Sequence, residues 1–250
     1  MKVSFTDLNL MAGTAKSLDQ KELAAEDLKI FNRDFDHLVK NLLRIDDELG
    51  RNLADEKEFY LGVNQIAKGY FDKPFGGLKC STGQYGMDII YPQILKDAAS
   101  GTQTNFHSWR RTVTTDTGDS DADILGGSTG SAWAYAESTS EEKTVIAFHT
   151  FISYMPDPRL ISLEMNVNDY PYTLWSVEPF AKIAKPDKLF KLLPMPGRVI
   201  IHPGGKFYVR GWFDMQLKTI PLLTSNIDVE LAPFGLCFAE YSQLAVANRV

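Results

Sequence analysis

TVIAFHTFISYM, residues 144–155, is a mostly apolar run from which the fold of the chain can be inferred. Side chains of a β-strand point to opposite faces in turn. Ile146 and Phe148 would therefore line one face of this strand, and Val145 and Phe151 the other. A strand that is apolar on both faces has to be covered on both, as it is in the middle of a sheet within a packed sandwich. The run thus predicts a central, buried strand.

Further strand-like segments surround this run, with turn residues between them. They are residues 85–91, 105–115, 131–138, 161–167, 170–177, 197–202, 205–213, 227–231 and 234–244. About nine or ten strand candidates follow residue 77, at the spacing typical of antiparallel sandwiches and barrels. They do not alternate with helices, which disfavours a parallel α/β fold. We therefore predict a mainly β fold, an antiparallel jelly-roll-type sandwich of about eight strands.

Three connections in this region carry predictions of their own. Residues 116–131 are polar and rich in glycine, which predicts a loop. Residues 185–193 are predicted to form a short helix that has Pro186 in its first turn. The turn residues Pro203 and Gly204 predict a hairpin-like pairing of the strands on either side of them.

A long amphipathic α-helix is predicted before the strands. Residues 17–20, Ser-Leu-Asp-Gln, have the form of a capping box, which satisfies free amide groups at a helix start. Gly50 is predicted to end the helix. Apolar residues recur between these points at alternating steps of three and four, with charged residues between them. They are Leu28, Phe31, Phe35, Leu38, Leu42, Ile45 and Leu49.

This apolar seam has two interpretations. A repeat of about 3.5 residues is typical of a coiled coil between subunits. A helix that packs on its own domain or on a neighbouring subunit shows nearly the same stripe. The seam residues are therefore candidates for a subunit interface. The predicted organisation is an extended lead-in over residues 1–16, a helical extension over 17–58 and a β-sandwich domain over 59–250, with residues 51–75 compatible with helix or extended chain.

Charge and composition argue against several classes of protein. The chain has 250 residues and a net charge of −6, whereas nucleic-acid binding needs Lys and Arg to displace counterions from phosphates. Its apolar runs fall short of the ~18 residues of a membrane span, and its start lacks the pattern of a signal peptide. Cys80 and Cys237 are too few for a disulfide scaffold, so we expect buried thiols, with a single bridge as the alternative.

The histidines do not form a catalytic or cofactor-binding pattern. Sandwich metalloenzymes bring two histidines and a carboxylate together at one metal ion, and these often follow one another closely in sequence. His107, His149 and His202 have no such partner two residues further on. His149 lies in an apolar strand and is predicted to be a hydrogen-bonded core residue. We therefore predict no catalytic residues, no cofactor and no enzymatic activity.

A weak metal-site candidate lies in the predicted polar loop. Asp119, Asp121 and Asp123 resemble the start of a calcium loop, in which alternate carboxylates converge on a hard cation. The sixth position of that motif is Ile124 instead of Gly, and the twelfth is Gly130 instead of Glu. These departures remove the sharp turn and the bidentate ligand. A solvated acidic loop is the main expectation, and weak calcium binding is the alternative.

Taken together, the helical lead-in and three later segments suggest a family. Those segments are residues 143–155, 159–166 and the sequence IHPGGKFYVR over 201–210. Across residues 77–245 the pattern resembles the jelly-roll coat proteins of tailless icosahedral viruses. The resemblance implies a virion subunit, made in the host cytoplasm, that assembles into trimers or hexamer-like capsomers. Its partners would be copies of itself, other virion proteins or an internal lipid layer, because the chain has no basic arm for a genome.

A binding protein is the alternative function. A trimeric receptor-binding or carbohydrate-binding sandwich, such as a viral or phage adhesin, would share the same architecture. Trp133 and Trp175 would then provide aromatic platforms for sugar rings.

Overall fold

A computed structural model describes most of the chain, in two compact units. The helical unit comprises residues 23–90, 144–147 and 235–247. The sheet unit comprises residues 110–113, 121–125, 148–153, 160–167, 170–176, 190–205, 207–213 and 227–234. The predicted lead-in over residues 1–16, the capping box, and the strand predicted at 131–138 lie outside the described residues. In the part that is described, no helix is long and apolar enough to cross a membrane.

The helical unit begins with three consecutive helices, and the first two of them lie where the sequence predicts one long helix. They are α1 (Ala25–Ile45), α2 (Asp47–Ala54) and α3 (Lys57–Phe71). Asp46 separates the first two, because its backbone is extended and its carboxylate accepts hydrogen bonds from the amides of Glu48 and Leu49 at 2.9 and 3.0 Å. A side chain that caps a new helix stabilises a break in the old one.

Gly50 does not end a helix, contrary to the prediction, but lies within α2. A Cβ atom at this position would come within 2.5 Å of Leu43 Cγ. The glycine therefore allows α2 to turn back closely against the last turn of α1. Residues 51–75, for which the sequence allowed either conformation, are largely helical.

The apolar seam of α1 packs inside the helical unit. Phe31 stacks on Phe35 with their ring centroids 5.5 Å apart, and Phe35 contacts Tyr60 of α3 at 6.2 Å. Among the seven interface candidates, Phe31, Phe35, Leu38, Leu42 and Leu49 are buried, whereas Leu28 is 38% exposed and Ile45 77% exposed. Burial of each large apolar side chain contributes about 1.5–3 kcal/mol. The buried members of the seam thus stabilise their own chain.

A pair of buried aspartates on α1 holds the segment that follows α3. Asp27 accepts hydrogen bonds from the Phe75 amide at 3.3 Å and from Lys68 Nζ at 3.0 Å. Two helical turns further along α1, Asp34 accepts a hydrogen bond from the Leu78 amide at 3.0 Å. Buried carboxylates are tolerated when they are paired and hydrogen-bonded in this way. We call this arrangement the aspartate clasp.

The strands form two antiparallel sheets, and the antiparallel β prediction is confirmed at this level. Sheet I has the order β1-β9-β4-β7, with β2 also paired to β9, and sheet II has the order β3-β8-β5-β6. The strands are β1 (Tyr85–Ile89), β2 (Arg110–Val113), β3 (Asp121–Leu125), β4 (Thr144–Ser153), β5 (Leu160–Val167), β6 (Tyr170–Ser176), β7 (Lys191–Ile201), β8 (Phe207–Phe213) and β9 (Ile227–Glu240). A short helix, α4 (Tyr241–Ala247), follows the last strand.

The apolar run that begins at Thr144 forms β4, which lies between β9 and β7 and is buried along its whole length. Within the sheet unit, the Phe148 ring contacts Phe207 of β8 with centroids 5.7 Å apart. Phe148 of sheet I thus packs against Phe207 of sheet II within the sheet unit. Thr150 donates its hydroxyl to the Leu193 carbonyl at 2.8 Å, which satisfies a buried polar group.

Several local predictions in the sheet unit are wrong. Strand β3 occupies part of the predicted polar loop, because residues 121–125 pair with β8. Strand β7 begins at Lys191, within the predicted short helix, whose other residues up to 189 lie outside the description. The segments on either side of Pro203 do not form a hairpin, since β7 belongs to sheet I and β8 to sheet II. The two strands predicted at the end of the chain are one continuous strand, β9.

Candidate functional site

The outer face of sheet II carries polar residues in a regular arrangement. Along β5, Leu163 and Met165 are buried, while the residues between them alternate to the other side. Along β8, Val209 is buried in the same way and is flanked by Arg210. Because side chains alternate along a strand, each of these strands presents an apolar face to the core and a polar face away from it. The ladder aligns these polar positions across the sheet.

Glu164 is the centre of this polar face. Its Oε2 atom accepts a hydrogen bond from Trp212 Nε1 at 3.2 Å, and its Oε1 atom accepts one from Asn166 Nδ2 at 3.2 Å. Arg210 stands directly opposite Glu164 in the β5–β8 ladder, and Ser162 stands opposite Trp212. We call these five residues the Trp212 cluster. It combines a carboxylate, an amide, a guanidinium, a hydroxyl and an indole on one side of the sheet.

A hydrogen bond links Trp212 to Glu164 diagonally across the ladder. Trp212 and Glu164 are diagonal neighbours, and such pairs are about 7–8 Å apart in an antiparallel ladder. The indole N–H nevertheless reaches the Glu164 carboxylate at 3.2 Å, so this hydrogen bond joins two successive ladder positions.

Hydrogen bonds at this face link the polar side chains to one another. Each oxygen of the Glu164 carboxylate accepts one hydrogen bond from a side chain of the cluster. Ser176, an exposed residue at the end of β6, donates its hydroxyl to the Ile161 carbonyl at 3.3 Å. The Trp212 cluster is therefore a half-buried polar network that includes an indole ring.

The described residues of the predicted calcium site lie in a strand and not in a loop. Asp119 is outside the described residues. Asp121 and Asp123 lie on β3, opposite Trp212 and Arg210 in the ladder. An extended strand replaces the tight loop by which carboxylates of the calcium-loop type converge on one cation. Among the residues that the structure describes, no group of three or more His, Cys, Asp or Glu could hold a metal ion.

The described histidines lie in separate surroundings. His149 is 8% exposed and its ring lies 5.8 Å from that of Phe234, in line with the predicted core position. His202 follows β7, and burial lowers the pKa of its imidazole. His37 is exposed on α1, with its Nε2 atom 3.1 Å from Asn41 Nδ2.

Both cysteines are free thiols in the helical unit, so the alternative of a single bridge is not realised. Cys237 is fully buried, and burial raises the pKa of its thiol well above the ordinary value, with the nearby charge of Asp88 adding to the shift. Burial also raises the pKa of the Cys80 thiol. Because the thiolate is the reactive form, both side chains are poor nucleophiles.

Sequence reasoning nominated other tryptophans as binding platforms. Trp133 lies outside the described residues, and Trp175 stands on β6 opposite the buried Leu163. The tryptophan that the structure places beside polar groups is Trp212. Its signal was present in the sequence, because Trp212 shares the alternation of Arg210 in β8. The pairing of β8 with β5, which brings in Glu164, was not visible there.

Comparisons with known proteins do not supply a family. No protein-family model matches the sequence, and no curated protein is significantly similar to it. The function is therefore inferred from the order of the strands and from the side chains at the surface of the described residues.

Proposed function

We propose that this chain is a coat subunit that assembles with copies of itself into a closed particle, and that its strands form a jelly roll. The observation that carries the proposal is the order of the strands in the two sheets. Both β1 and β2 pair with β9, β1 with residues 236–240 and β2 with residues 227–230. With β2 set aside, the first strand pairs with the last, β3 with β8, β4 with β7 and β5 with β6.

These pairs are nested around the middle of the chain. Nested antiparallel pairs are what a single long hairpin produces, with its two arms running side by side from the ends to the tip. Rolling that hairpin up brings β9 beside β4 and β8 beside β5, which are the remaining neighbours in the two sheets. A rolled-up hairpin divided over two packed sheets is the defining feature of jelly rolls, which occur in viral capsid proteins, lectins and cupins.

The exposed apolar side chains favour an assembling protein among these classes. In the part of the chain that the structure describes, the most exposed large apolar residues are all in the helical unit. They are Leu28, Leu43, Ile45, Tyr70 and Tyr241. Ile45 is 77% exposed at the end of α1, where water contact is unfavourable for an isoleucine. A copy of the same chain would cover such residues in a particle.

The resemblance stated for the sequence points to the same function. A coat subunit would be found in the virion, and its net charge of −6 fits a shell that does not bind the genome directly. Other virion proteins or an internal lipid layer would then lie against its inner surface. A trimeric receptor-binding protein remains the second function, and the Trp212 cluster is the observation that favours it.

The assembly state of the purified protein tests the proposal. Size-exclusion chromatography with light scattering and negative-stain microscopy should show trimers, capsomers or closed particles. A protein that stays monomeric at high concentration, in several salt conditions, would contradict the coat function. Stable trimers that never assemble further would favour the receptor-binding protein instead.

A point variant tests the role of the helical unit. Ile45→Glu should weaken assembly, because a charge would be buried at each contact that now covers an isoleucine. The loss expected from one apolar side chain of this size is about 1.5–3 kcal/mol per contact. Lys40→Ala is the matched control, since it shifts the net charge by −1, as Ile45→Glu does, at another exposed position of α1. Equal assembly of both variants would show that Ile45 does not take part in the contact between copies.

A further inference from the structure

We infer that the outer face of α1 binds an anionic lipid surface through four cationic side chains, Lys29, Arg33, Lys40 and Arg44, which we call the basic face. The inference rests on the proposed function for its setting, because it names the surface by which a coat subunit meets an internal lipid layer. The binding itself concerns the helical unit alone, so it can be measured without assembled particles.

The spacing of the four cations places them on one face of α1. They are separated by steps of four, seven and four residues, and a helix of 3.6 residues per turn brings such positions within an arc of about 60°. With a rise of 1.5 Å per residue, the row from Lys29 to Arg44 is about 22 Å long. The buried residues Phe31 and Leu38 lie on the opposite side of the helix. The basic face is therefore turned away from the core of the helical unit.

The side chains of the basic face are available to a ligand. All four are exposed, and among the described residues no hydrogen bond or ion pair joins Lys29, Lys40 or Arg44 to an acidic side chain. Arg33 donates its Nε–H to Asp34 Oδ1 at 2.6 Å, and its side chain remains 67% exposed. Three cations without a partner, and a fourth that is held in place, can thus attract an anionic surface.

Two exposed acidic residues lie beside this row. Asp36 accepts a hydrogen bond from Lys57 Nζ at 2.8 Å, so its charge is already balanced. Glu26 lies in the first turn of α1, where the helix dipole favours a negative charge. The four cations therefore outweigh the acids around them, on a chain whose net charge is −6. Because salt screens charges more than about 8–10 Å away, the acidic residues elsewhere do little to cancel this face.

The composition of the basic face favours lipid headgroups over a protein or a nucleic acid. Contacts between proteins have an apolar or aromatic centre and are depleted in Lys, whereas no apolar residue of α1 falls within the arc of the four cations. Domains that bind nucleic acid are generally basic as a whole, and this chain is acidic. Groups of about four to eight Lys and Arg on a helix are typical of contact with anionic headgroups. Because the apolar side of α1 is buried in its own chain, the contact is electrostatic and does not insert into the acyl region.

Flotation of the whole protein with lipid vesicles tests the inference. The probes are vesicles of pure phosphatidylcholine and vesicles that also contain phosphatidylserine. We expect binding to the anionic vesicles alone, and its loss between about 0.1 M and about 1 M salt, because the Debye length then shortens from about 10 Å to about 3 Å. Equal binding to both kinds of vesicle, or binding to neither, would overturn the inference. Release from the vesicles by duplex DNA or by inorganic phosphate at equal charge concentration would assign the face to phosphate groups in general and overturn the lipid assignment.

Variants assign the binding to the basic face. Lys29→Glu combined with Lys40→Glu should weaken vesicle binding by at least about 25-fold, since each cation contributes about fivefold, the change that corresponds to about 1 kcal/mol. Lys29→Gln combined with Lys40→Gln removes the charges without reversing them and keeps the test informative if the first variant fails to fold. Arg51→Glu combined with Lys79→Glu is the matched control, because it makes the same charge change at exposed positions outside the basic face. Equal losses for the control and the first variant would overturn the assignment.

The outcomes for the two proposals are separable. Capsomers or particles that have no affinity for anionic vesicles would contradict this inference and leave the coat function intact. Vesicle binding by a protein that stays monomeric would contradict the coat function alone. The variant with Lys29→Glu and Lys40→Glu should assemble normally. Loss of assembly together with loss of vesicle binding would show that copies of the chain contact each other through the basic face, and would overturn its assignment to lipid.

Discussion

Gly77→Ala should destabilise the protein far more than an ordinary glycine substitution, because Gly77 lies at the centre of the aspartate clasp. Its φ angle is +67°, in the left-handed region that L-residues occupy at a cost of about 1–2 kcal/mol. A Cβ atom at this position would also overlap Asp34 Oδ2 and come within 2.8 Å of Ile30 Cγ2. The carboxylate of Asp34 would have to move away.

The cost of that movement can be estimated from the contacts of Asp34. Its Oδ2 atom accepts the hydrogen bond from the Leu78 amide at 3.0 Å, and the residue is buried to 6% exposure. Hydrogen bonds to charged groups contribute about 1.5–3 kcal/mol. Together with the backbone cost, the free energy of unfolding should fall by about 2.5–5 kcal/mol. Most natural domains have about 5–15 kcal/mol in total, so the loss is large.

Gly83→Ala is the matched control for this experiment. Gly83 has a φ angle of +86°, and a Cβ atom there would meet nothing within 4 Å. Its substitution should cost only the backbone term of about 1–2 kcal/mol. Equilibrium unfolding in urea, with unchanged m-values, measures both variants. Equal losses for Gly77→Ala and Gly83→Ala would refute the reasoning, because the clasp would then contribute nothing to the difference.

Two further predictions concern the helical unit. Lys68→Met should lower the free energy of unfolding by about 3 kcal/mol, because it leaves the 8% exposed carboxylate of Asp27 without its cation. Lys57→Met, which removes the cation of a more exposed ion pair, should lower it by less than about 1 kcal/mol in the same urea assay. Similar losses for the two lysine variants would contradict this. In the native protein, iodoacetamide should label Cys80 slowly and Cys237 only after unfolding. Because the pKa of the Cys80 thiol is raised above its ordinary value of 9.0, its labelling rate should still increase with pH above pH 9. Fast labelling of Cys237 at pH 7, followed by mass spectrometry, would show that it is not buried.

Local periodicity was sufficient for the elements whose burial follows from their own sequence. Strand β4 carries apolar side chains on both of its faces, and all of its residues are buried. The steps between Phe31, Phe35 and Leu38 place them on one face of a helix, and all three are buried. These predictions worked because a side chain's direction depends on backbone geometry alone. The antiparallel class followed from the many short strands and the lack of helices between them.

Other local features depended on single interactions that periodicity does not report. Asp46 fits the charged pattern between the apolar positions of a helix, yet its carboxylate caps α2 and ends α1. Asp27 and Asp34 read as solvent-facing charges, but both are buried and bind backbone amides of a distant segment. A charged residue is normally exposed, and only the groups that it binds in the folded chain show that it is buried.

The sequence by itself determined which segments are apolar on one face, which are apolar on both, and where Trp212 falls in the alternation of β8. The tertiary structure alone decided which strands become neighbours, and therefore that Glu164 comes to lie diagonally opposite Trp212. The physical reason is the sequence distance over which each effect acts. Backbone geometry relates residues a few positions apart, whereas the pairing of β5 with β8 joins residues far apart in sequence, a property of the folded chain and not of either strand.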